Sequence, residues 1–482
     1  MTAFRRQLLL VLYLVGSLWA LGAGQANAAA AAMDDSKLIE RGAYLAKAAD
    51  CGACHSVQGD RPFAGGLAIT SPVGVIYSTN ITPSVTFGIG RYTFDQFARA
   101  VRSGIRQDGA NLYPAMPYTS YSLLTDEDTR ALYAFFMKSV VAVESRGPST
   151  KLEFPLNIRL SMKAWNLIFL NQARYEVDAA RSEEWNRGRY LVRALAHCGE
   201  CHTPRGVLMQ TKSGLELAGA QIGPWYAPNV TSDPISGVGS WSAEDLVRYL
   251  QTGALGGRAW AAGGMAEAVE HSFQYLNDAD LRAMAVYVLS VPAVHDASDD
   301  VSRFSRGKPS SALATSRGSS GIRADSGNPD GAELFQGNCA SCHEAFGQGT
   351  KDGYYPSLFD NSAVGARNPN NLIATILNGV NRTTRAGQAY MPGFGGRPND
   401  LSALNDVQIA QVCNYLIDHF AHGGSQVTVK AVAEVRGGGP TSFLPLLARV
   451  GVALGAAGVI GAVFLFFFVR RRAKHARVTP SI

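Results

Sequence analysis

Three copies of one five-residue pattern constrain this chain more than any other feature. Cys51-Gly-Ala-Cys54-His55, Cys198-Gly-Glu-Cys201-His202 and Cys339-Ala-Ser-Cys342-His343 use six of the seven cysteines. At the chain's own Cys and His frequencies, roughly 0.002 such matches are expected by chance. A zinc ribbon needs two C-x-x-C pairs close together or a His pair nearby, and these pairs lie more than a hundred residues apart. A redox dithiol has no use for a His after the second Cys. C-x-x-C-H is the attachment pattern of c-type haem. Two thiols add across the vinyl groups, and the adjacent imidazole then lies under the ring as proximal iron ligand. Three covalent haems are therefore expected, on Cys51 and Cys54, Cys198 and Cys201, and Cys339 and Cys342, with His55, His202 and His343 on the irons.

The surroundings of the pattern repeat as well. "RGAYLAKAADCGACH", "RGRYLVRALAHCGECH" and "GAELFQGNCASCH" each read as a helix running into the attachment site. A second helix in each unit ends at Gly104, Gly253 or Gly379, a residue suited to the positive φ of a helix end. Twelve residues past each glycine stands a methionine: Met116, Met265 and Met391. A His-bound haem iron commonly takes a Met thioether on its other face, which closes the iron to substrates, so these three are the expected distal ligands. Proline follows Met116 and Met391 and would stiffen a loop across the haem; Met265 lacks it. Met284 and Met137 lie on amphipathic helices and read as core filler. A third helix opens at Thr125, Asn277 or Asn405, residues that cap helices well. Aligning Asp126, Asp278 and Asp406 puts Phe135, Tyr287 and Tyr415 at one position, where an aromatic would pack on the unit's first helix. Cys413 then falls on an apolar face as a buried thiol. The six other histidines recur at no matched position, which argues against bis-histidine irons.

The ends of the chain say where this happens. Residues 1–28 read as a signal peptide: Arg5 and Arg6, an apolar run, then Ala26-Asn-Ala28. Residues 450–469 form an uninterrupted apolar or glycine run long enough to span a bilayer. The basic tail 470–482 that follows is expected in the cytoplasm, and the bulk of the chain outside, at the periplasmic face of the inner membrane. Removing the two cations of the signal and the five of the tail from the net +6 leaves about −1 for the exported part, so the basic balance is no argument for nucleic-acid binding. The expected fold is mainly α: three tandem cytochrome c-type domains at 34–145, 180–295 and 329–425, plus one C-terminal transmembrane helix. Residues 296–328, rich in Ser and Gly, read as a linker between the second and third units. The connection at 151–175 is unusually apolar, either packing between the first two units or meeting the bilayer surface or a quinone.

Taken together the chain resembles the triheme cytochrome c subunits of membrane-bound dehydrogenases of oxidative bacteria. The resemblance covers nearly all of the mature chain and is most specific at "SPVGVIYSTNIT", "GIRQDGANLYPAMPY", "HCGECHTPRG" and "GGMAEAV". The ligands it implies are His55, Met116, His202, Met265, His343 and Met391, the same set as the repeat gives. It further implies a separate large catalytic subunit that oxidises an alcohol, aldehyde, sugar or sugar acid, sometimes with a small third subunit, and ubiquinone as electron acceptor. The terminal membrane helix tilts the expected partner toward a flavin enzyme, with PQQ or molybdenum as alternatives. Two other readings are a multihaem carrier serving a terminal oxidase or reductase, and a self-sufficient multihaem oxidoreductase. Three methionines closing three irons argue against the last.

Overall fold

The computed structural model describes residues 35–476 except 58–60, 72, 310–329, 422 and 424. The expected signal peptide, most of the expected linker and the end of the basic tail lie outside the described residues. Within them one helical plan occurs three times. The first repeat is α1 (35–48), α2 (Cys51–His55), the hairpin β1–β2 (Ala68–Ser71, Gly74–Tyr77), α3 (Phe94–Ser103), α4 (Tyr118–Tyr121) and α5 (Asp126–Lys138). After the connecting helix α6 (Leu160–Phe169) comes α7 (Glu183–Tyr190), prolonged by a π turn over Leu191–Leu195, and then α8 (Gly199–His202). The second repeat continues with β3–β4 (Ala220–Ile222, Trp225–Ala227), α9 (Ala243–Thr252), β5–β6 (Ala254–Leu255, Ala259–Trp260), α10 (Gly263–His271) and α11 (Asp278–Val288). The third is α12 (Gly331–Asn338), α13 (Ala340–His343), α14 (Asn370–Asn378), β7–β8 (Val380–Thr384, Gly387–Met391), α15 (Asp406–Leu416) and α16 (Val429–Arg436). The long α17 (Leu444–Ala476) closes the chain. The strands form two-stranded antiparallel hairpins, so the architecture is mainly helical.

Glycine sets how closely the first and third helices of each repeat cross. A Cβ on Gly42 would lie 2.0 Å from the Ala131 carbonyl oxygen, and one on Gly188 would lie 1.9 Å from that of Ala283. On Gly331 it would lie 2.5 Å from the Gln411 oxygen. The same three positions face the Cβ atoms of Phe135, Tyr287 and Tyr415 at 2.7, 2.9 and 2.8 Å. The aromatics matched by sequence alignment thus pack on the first helix, as expected. Thr125, Asn277 and Asn405 cap the third helices, each accepting the backbone N–H three residues on. Cys413 and Met284 are buried on those helices, the first as a thiol and the second as core filler.

Repeats one and two share a single core. Leu45, Leu132 and Phe136 pack in one cluster with Leu191, Leu195 and Leu281, whereas Phe335, Ile373, Ile409 and Phe420 of the third repeat form another. A reciprocal clamp seals the joint core. Arg41 donates to Asp128 at 2.7 Å within repeat one, and Arg187 donates to Asp280 at 2.7 Å within repeat two. The tyrosines three residues on cross over: Tyr44 donates to Asp280 and Tyr190 to Asp128, both at 2.6 Å. The third repeat has Asp330 and Glu333 at the matching places and takes no part.

The reading of 296–328 as a plain linker needs correction at its start. Phe304 is 6% exposed and packs on Trp241 with ring centroids 4.9 Å apart. Asp300 accepts from Arg306 at 2.6 Å and from Arg367 of the third repeat at 2.7 Å. Residues 300–306 are therefore a packed strap whose polar composition hides four anchoring side chains, Asp300, Arg303, Phe304 and Arg306. The apolar connection at 151–175 divides its faces. Tyr118 donates to Asn166, and Trp165 donates to the Leu208 carbonyl, so α6 touches both repeats. Its outer face leaves Leu160 69%, Leu167 88% and Ile168 69% exposed. Among the described residues none buries the apolar window of α17 within Leu444–Arg472; Arg449 near its start pairs with Glu153 at 2.6 Å.

The core that repeats one and two share is separate from that of repeat three, which implies two unfolding units. Gly331→Ala should lower the transition of the third repeat alone and Gly188→Ala that of the joint core, each by on the order of 1–3 kcal/mol. Calorimetry checks this; one shift common to both variants would mean a single unit. The clamp also predicts a pH dependence. Burial pushes the Asp280 carboxyl up, but hydrogen bonds from Arg187 and Tyr44 and the guanidinium charge outweigh it, and its pKa ends below the ordinary value. Such a group stabilises fully above its unfolded pKa of about 3.9 and stops doing so as pH falls through the folded value. Tyr44→Phe should cost the joint core about 1.5–3 kcal/mol at neutral pH, and melts of the two proteins should draw together as pH falls from about 4 through the lower folded pKa of Asp280.

Candidate functional site

Each C-x-x-C-H pattern forms a single helical turn behind the first helix of its repeat. The chain enters the first two through a left-handed residue, Asp50 at φ 50° and His197 at φ 39°, so the turn breaks from the preceding helix axis. Each motif histidine then meets a backbone carbonyl. His55 Nδ1 lies 2.6 Å from Thr79 O, His202 Nδ1 2.7 Å from Pro228 O and His343 Nδ1 2.9 Å from Pro356 O. A carbonyl only accepts, so Nδ1 carries the proton and the Nε2 lone pair is left for a metal. Burial lowers the pKa of all three imidazoles, with the carbonyl bond opposing it, which favours the neutral ligand form.

Five of the six motif cysteines, Cys51, Cys54, Cys198, Cys201 and Cys339, sit where burial disfavours the thiolate. Burial pushes Cys51, Cys198 and Cys339 up to about 12 and Cys54 to about 11. Among the described residues no group of three or more His, Cys, Asp or Glu could hold a metal ion. Paired thiols with one free imidazole nitrogen at three sites are the donor set that a covalent haem requires, so the residues present fit that group.

The structure explains why the methionines stand twelve residues past the glycines. Gly104, Gly253 and Gly379 end their helices at φ 63°, 70° and 71°. In repeat one the chain returns so that Leu112 N–H donates to Gly104 O, and in repeat two Ala261 N–H donates to Gly253 O, both at 2.7 Å. The eight-residue return is identical, and the methionine follows four residues later. In repeat three a longer hairpin pairs Val380 with Met391 directly, so the same spacing arises from different geometry. Met116 lies in a turn just before α4, Met391 ends β8, and Met265 is on the first turn of α10. That helical setting accounts for the missing proline beside Met265, since an extended loop is not what presents it. All three are partly exposed, in contrast to Met284 at 1%.

The first two motifs face one another across the joint core. Glu200, inside the second motif, accepts from Thr119 at 2.6 Å and from Ser120 at 2.9 Å, both just after Met116. Burial works against its charge, but Arg205 and the two hydroxyls hold it below the usual carboxylate range. Reciprocally, α10 with Met265 packs against α2. Asp50, buried and near Glu267, is pushed up to about 8. Tyr121 donates to Ala49 O at 2.7 Å, and its ring meets His197 edge-on. Sequence reasoning missed these cross-repeat contacts. The one available signal was the shared R-G-x-Y of the first two approaches.

The cytochrome c family model matches residues 39–140 and 329–419. The chain is 50% identical over 451 residues to the fructose dehydrogenase cytochrome subunit of Gluconobacter japonicus, covering 91% of this chain and 92% of that one. It is 39% identical over 435 residues to the gluconate 2-dehydrogenase cytochrome c subunit of Pantoea cypripedii, with 87% and 95% covered. The cytochrome c subunit of the alcohol dehydrogenase (quinone) of Gluconobacter oxydans is 39% identical over 393 residues, with 79% and 78% covered. Likeness at that level along nearly the whole of both chains, added to attachment turns built alike in three places, leaves one conclusion: the chain belongs to the family of cytochrome c subunits of fructose, gluconate and alcohol dehydrogenases.

Proposed function

We propose that this chain carries three covalent haems, one per repeat, and relays electrons from a partner dehydrogenase to ubiquinone at the periplasmic face of the inner membrane. The observation that carries the reading is the threefold imidazole–carbonyl geometry, which prepares three separate nitrogen ligands beside three thiol pairs. Bound haem supplies a one-electron couple in which no bond to substrate forms. The chain's own residues do the rest. Cys51 and Cys54, Cys198 and Cys201, and Cys339 and Cys342 tether the rings. His55, His202 and His343 would bind the iron through their free imidazole nitrogens, and Met116, Met265 and Met391 would supply a thioether to it, which would keep small ligands out. Substrate oxidation belongs to the partner. The relatives' names favour a sugar or sugar-acid dehydrogenase, and the membrane helix favours a flavin-type one, with a small third subunit allowed.

In this reading α17 tethers the complex. Its apolar run at 450–469 contains no ionisable residue and so offers no proton acceptor for quinone chemistry within the bilayer. The exposed face of α6 is a better surface for ubiquinone. A cleft of 490 Å³ lies between α6 and repeat one, lined by Ser103, Ile105, Asn111, Leu160, Lys163 and Leu167. The chain passes from Asn111 in that lining to Met116 five residues on, and Glu153, seven residues before α6, pairs with Arg449 of α17.

A pyridine haemochrome assay of the mature protein should give three haems per chain, and the spectrum should be low-spin in both oxidation states. Met116→Ala, Met265→Ala and Met391→Ala should each open one iron and move one potential. Met284→Ala should leave the spectrum unchanged and cost about 2–5 kcal/mol as a core deletion. High-spin haem in Met284→Ala but not in Met265→Ala would reverse the assignment in repeat two. Cutting the chain after Gly439 should release a soluble protein that keeps its haems and reduces both dyes and short-tail quinone when supplied with partner and substrate. Loss of quinone reduction with dye reduction intact would place the quinone site on α17.

A further inference from the structure

Arg303 lies in the strap between repeats two and three, yet its guanidinium is sunk into repeat two. Its terminal nitrogens donate to Ser236 O and to Asn229 O, at 2.5 and 3.1 Å. The group lies 4.3 Å over the ring of Phe304. Its Nε–H is shielded from solvent and meets no acceptor. Its neighbours Arg306 and Arg367 both pair with Asp300, whereas Arg303 pairs with no carboxylate among the described residues. Burial pushes its pKa down to about 10, opposed by Asp299, Tyr249 and Tyr226. A guanidinium cannot shed its charge at physiological pH, and a buried cation without an anion is strongly unfavourable. The site asks for a negative group.

A second orphaned donor belongs to the same cluster. Trp241 is 6% exposed, its ring packs on Phe304 and Tyr249, and its Nε1–H also lacks an acceptor. The place of the cluster is fixed by consecutive residues. Arg303 holds the carbonyl of Asn229, and the carbonyl of Pro228, one residue earlier, holds His202 Nδ1 at 2.7 Å. The unpaired cation and the unpaired indole thus belong to the pocket whose histidine would bind the second iron. Haem brings two propionate carboxylates to such a pocket.

We infer that Arg303, together with Trp241, binds a propionate carboxylate of the haem in repeat two, so that the strap completes this pocket. The inference rests on the haem reading above. Arg303 is then a cofactor-binding residue supplied from outside the repeat it serves. Its backbone is held from the other side, since a Cβ on Gly365 of repeat three would fall 2.6 Å from Arg303 O. The cation favours the reduced iron, which carries one positive charge fewer, and it balances the propionate.

The test uses the full-length, haem-loaded protein in detergent, followed by spectroelectrochemistry. Arg303→Met should move one of the three potentials in the negative direction and leave the other two in place. The wave that moves should be the one displaced by Met265→Ala. Arg303→Lys, which keeps the charge and loses the fork, should move it less. Trp241→Phe, which keeps the ring and removes only the N–H, should move the same wave and remains usable if Arg303→Met fails to mature. The inference is overturned if all three potentials of a fully loaded Arg303→Met or Trp241→Phe protein match the parent, or if the moving wave is not that of Met265→Ala. A parent protein lacking haem on Cys198 and Cys201 would instead sink the reading beneath it, and the haemochrome count separates the two failures.

Discussion

An imidazole tied by sequence to a C-x-x-C turn binds iron well only if it is neutral and aimed, and the bond from Nδ1 to a backbone carbonyl secures both. Much of each repeat is arranged to bring that carbonyl into place. In repeats one and two it comes from the residue before Asn80 or Asn229, and each asparagine locks its own loop. The Asn80 and Asn229 side chains accept from Thr82 and Thr231 and donate back to Val143 O and Val294 O. The loop that holds the histidine is thereby pinned to the segment that follows the repeat's last helix. In repeat three Pro356 supplies the carbonyl from a differently built loop, where Gly349 sits against Tyr355 O at a distance no side chain would allow. The carbonyl is kept although the loop that delivers it changes.

Electron relay between fixed sites needs fixed separations, and the two kinds of repeat contact serve this differently. Repeats one and two are fused: one core, one reciprocal clamp, and a carboxylate of the second motif satisfied by hydroxyls of the first repeat. Each clamp aspartate is buried and takes bonds from an arginine of its own repeat and a tyrosine of the other. Separating the repeats would leave two buried carboxylates short of a donor, which costs more than the bonds themselves contribute. Repeat three is docked by polar edges instead. Asn371 pairs both ways with the Tyr226 backbone, and Arg382 reaches in to the Ala261 carbonyl, where it is 3% exposed.

Sequence gave good access to whatever repeats and poor access to whatever joins. The six thiols, three histidines, three glycines and three methionines were legible because each recurs at a matched position, and the helix crossings followed from the aligned aromatics. The carbonyl partners were not legible, since any residue offers a carbonyl and only the fold chooses one. The Tyr44–Asp280 and Tyr190–Asp128 bonds join residues hundreds or tens of positions apart, and only the likeness of the two R-G-x-Y approaches hinted at them. The strap misled because composition averages over a segment. Ser and Gly dominate 296–328, while the structure depends on Asp300, Arg303, Phe304 and Arg306.

That last case bears on how a third repeat could be added to a fused pair. The clamp residues of repeats one and two already satisfy each other, so no third copy can join by the same device, and Asp330 and Glu333 at the matching places could not repeat it. A new interface therefore had to come from elsewhere in the chain. The segment leaving α11 is the covalent route to repeat three, and it buries Phe304 and Arg306 on the way. Phe304 fills the core of repeat two beside Trp241, and Asp300 gathers one arginine from the strap and one from repeat three. Asp300 is exposed, and the two guanidiniums hold its carboxyl far below the usual range, so this charge is present at any physiological pH. Such surface pairs contribute little stability singly. Their value here is geometric: they fix which face of repeat three meets the strap, and the buried Phe304 holds the strap in place. With Arg303 between them, the connection that sets the position of repeat three also lines the pocket of repeat two.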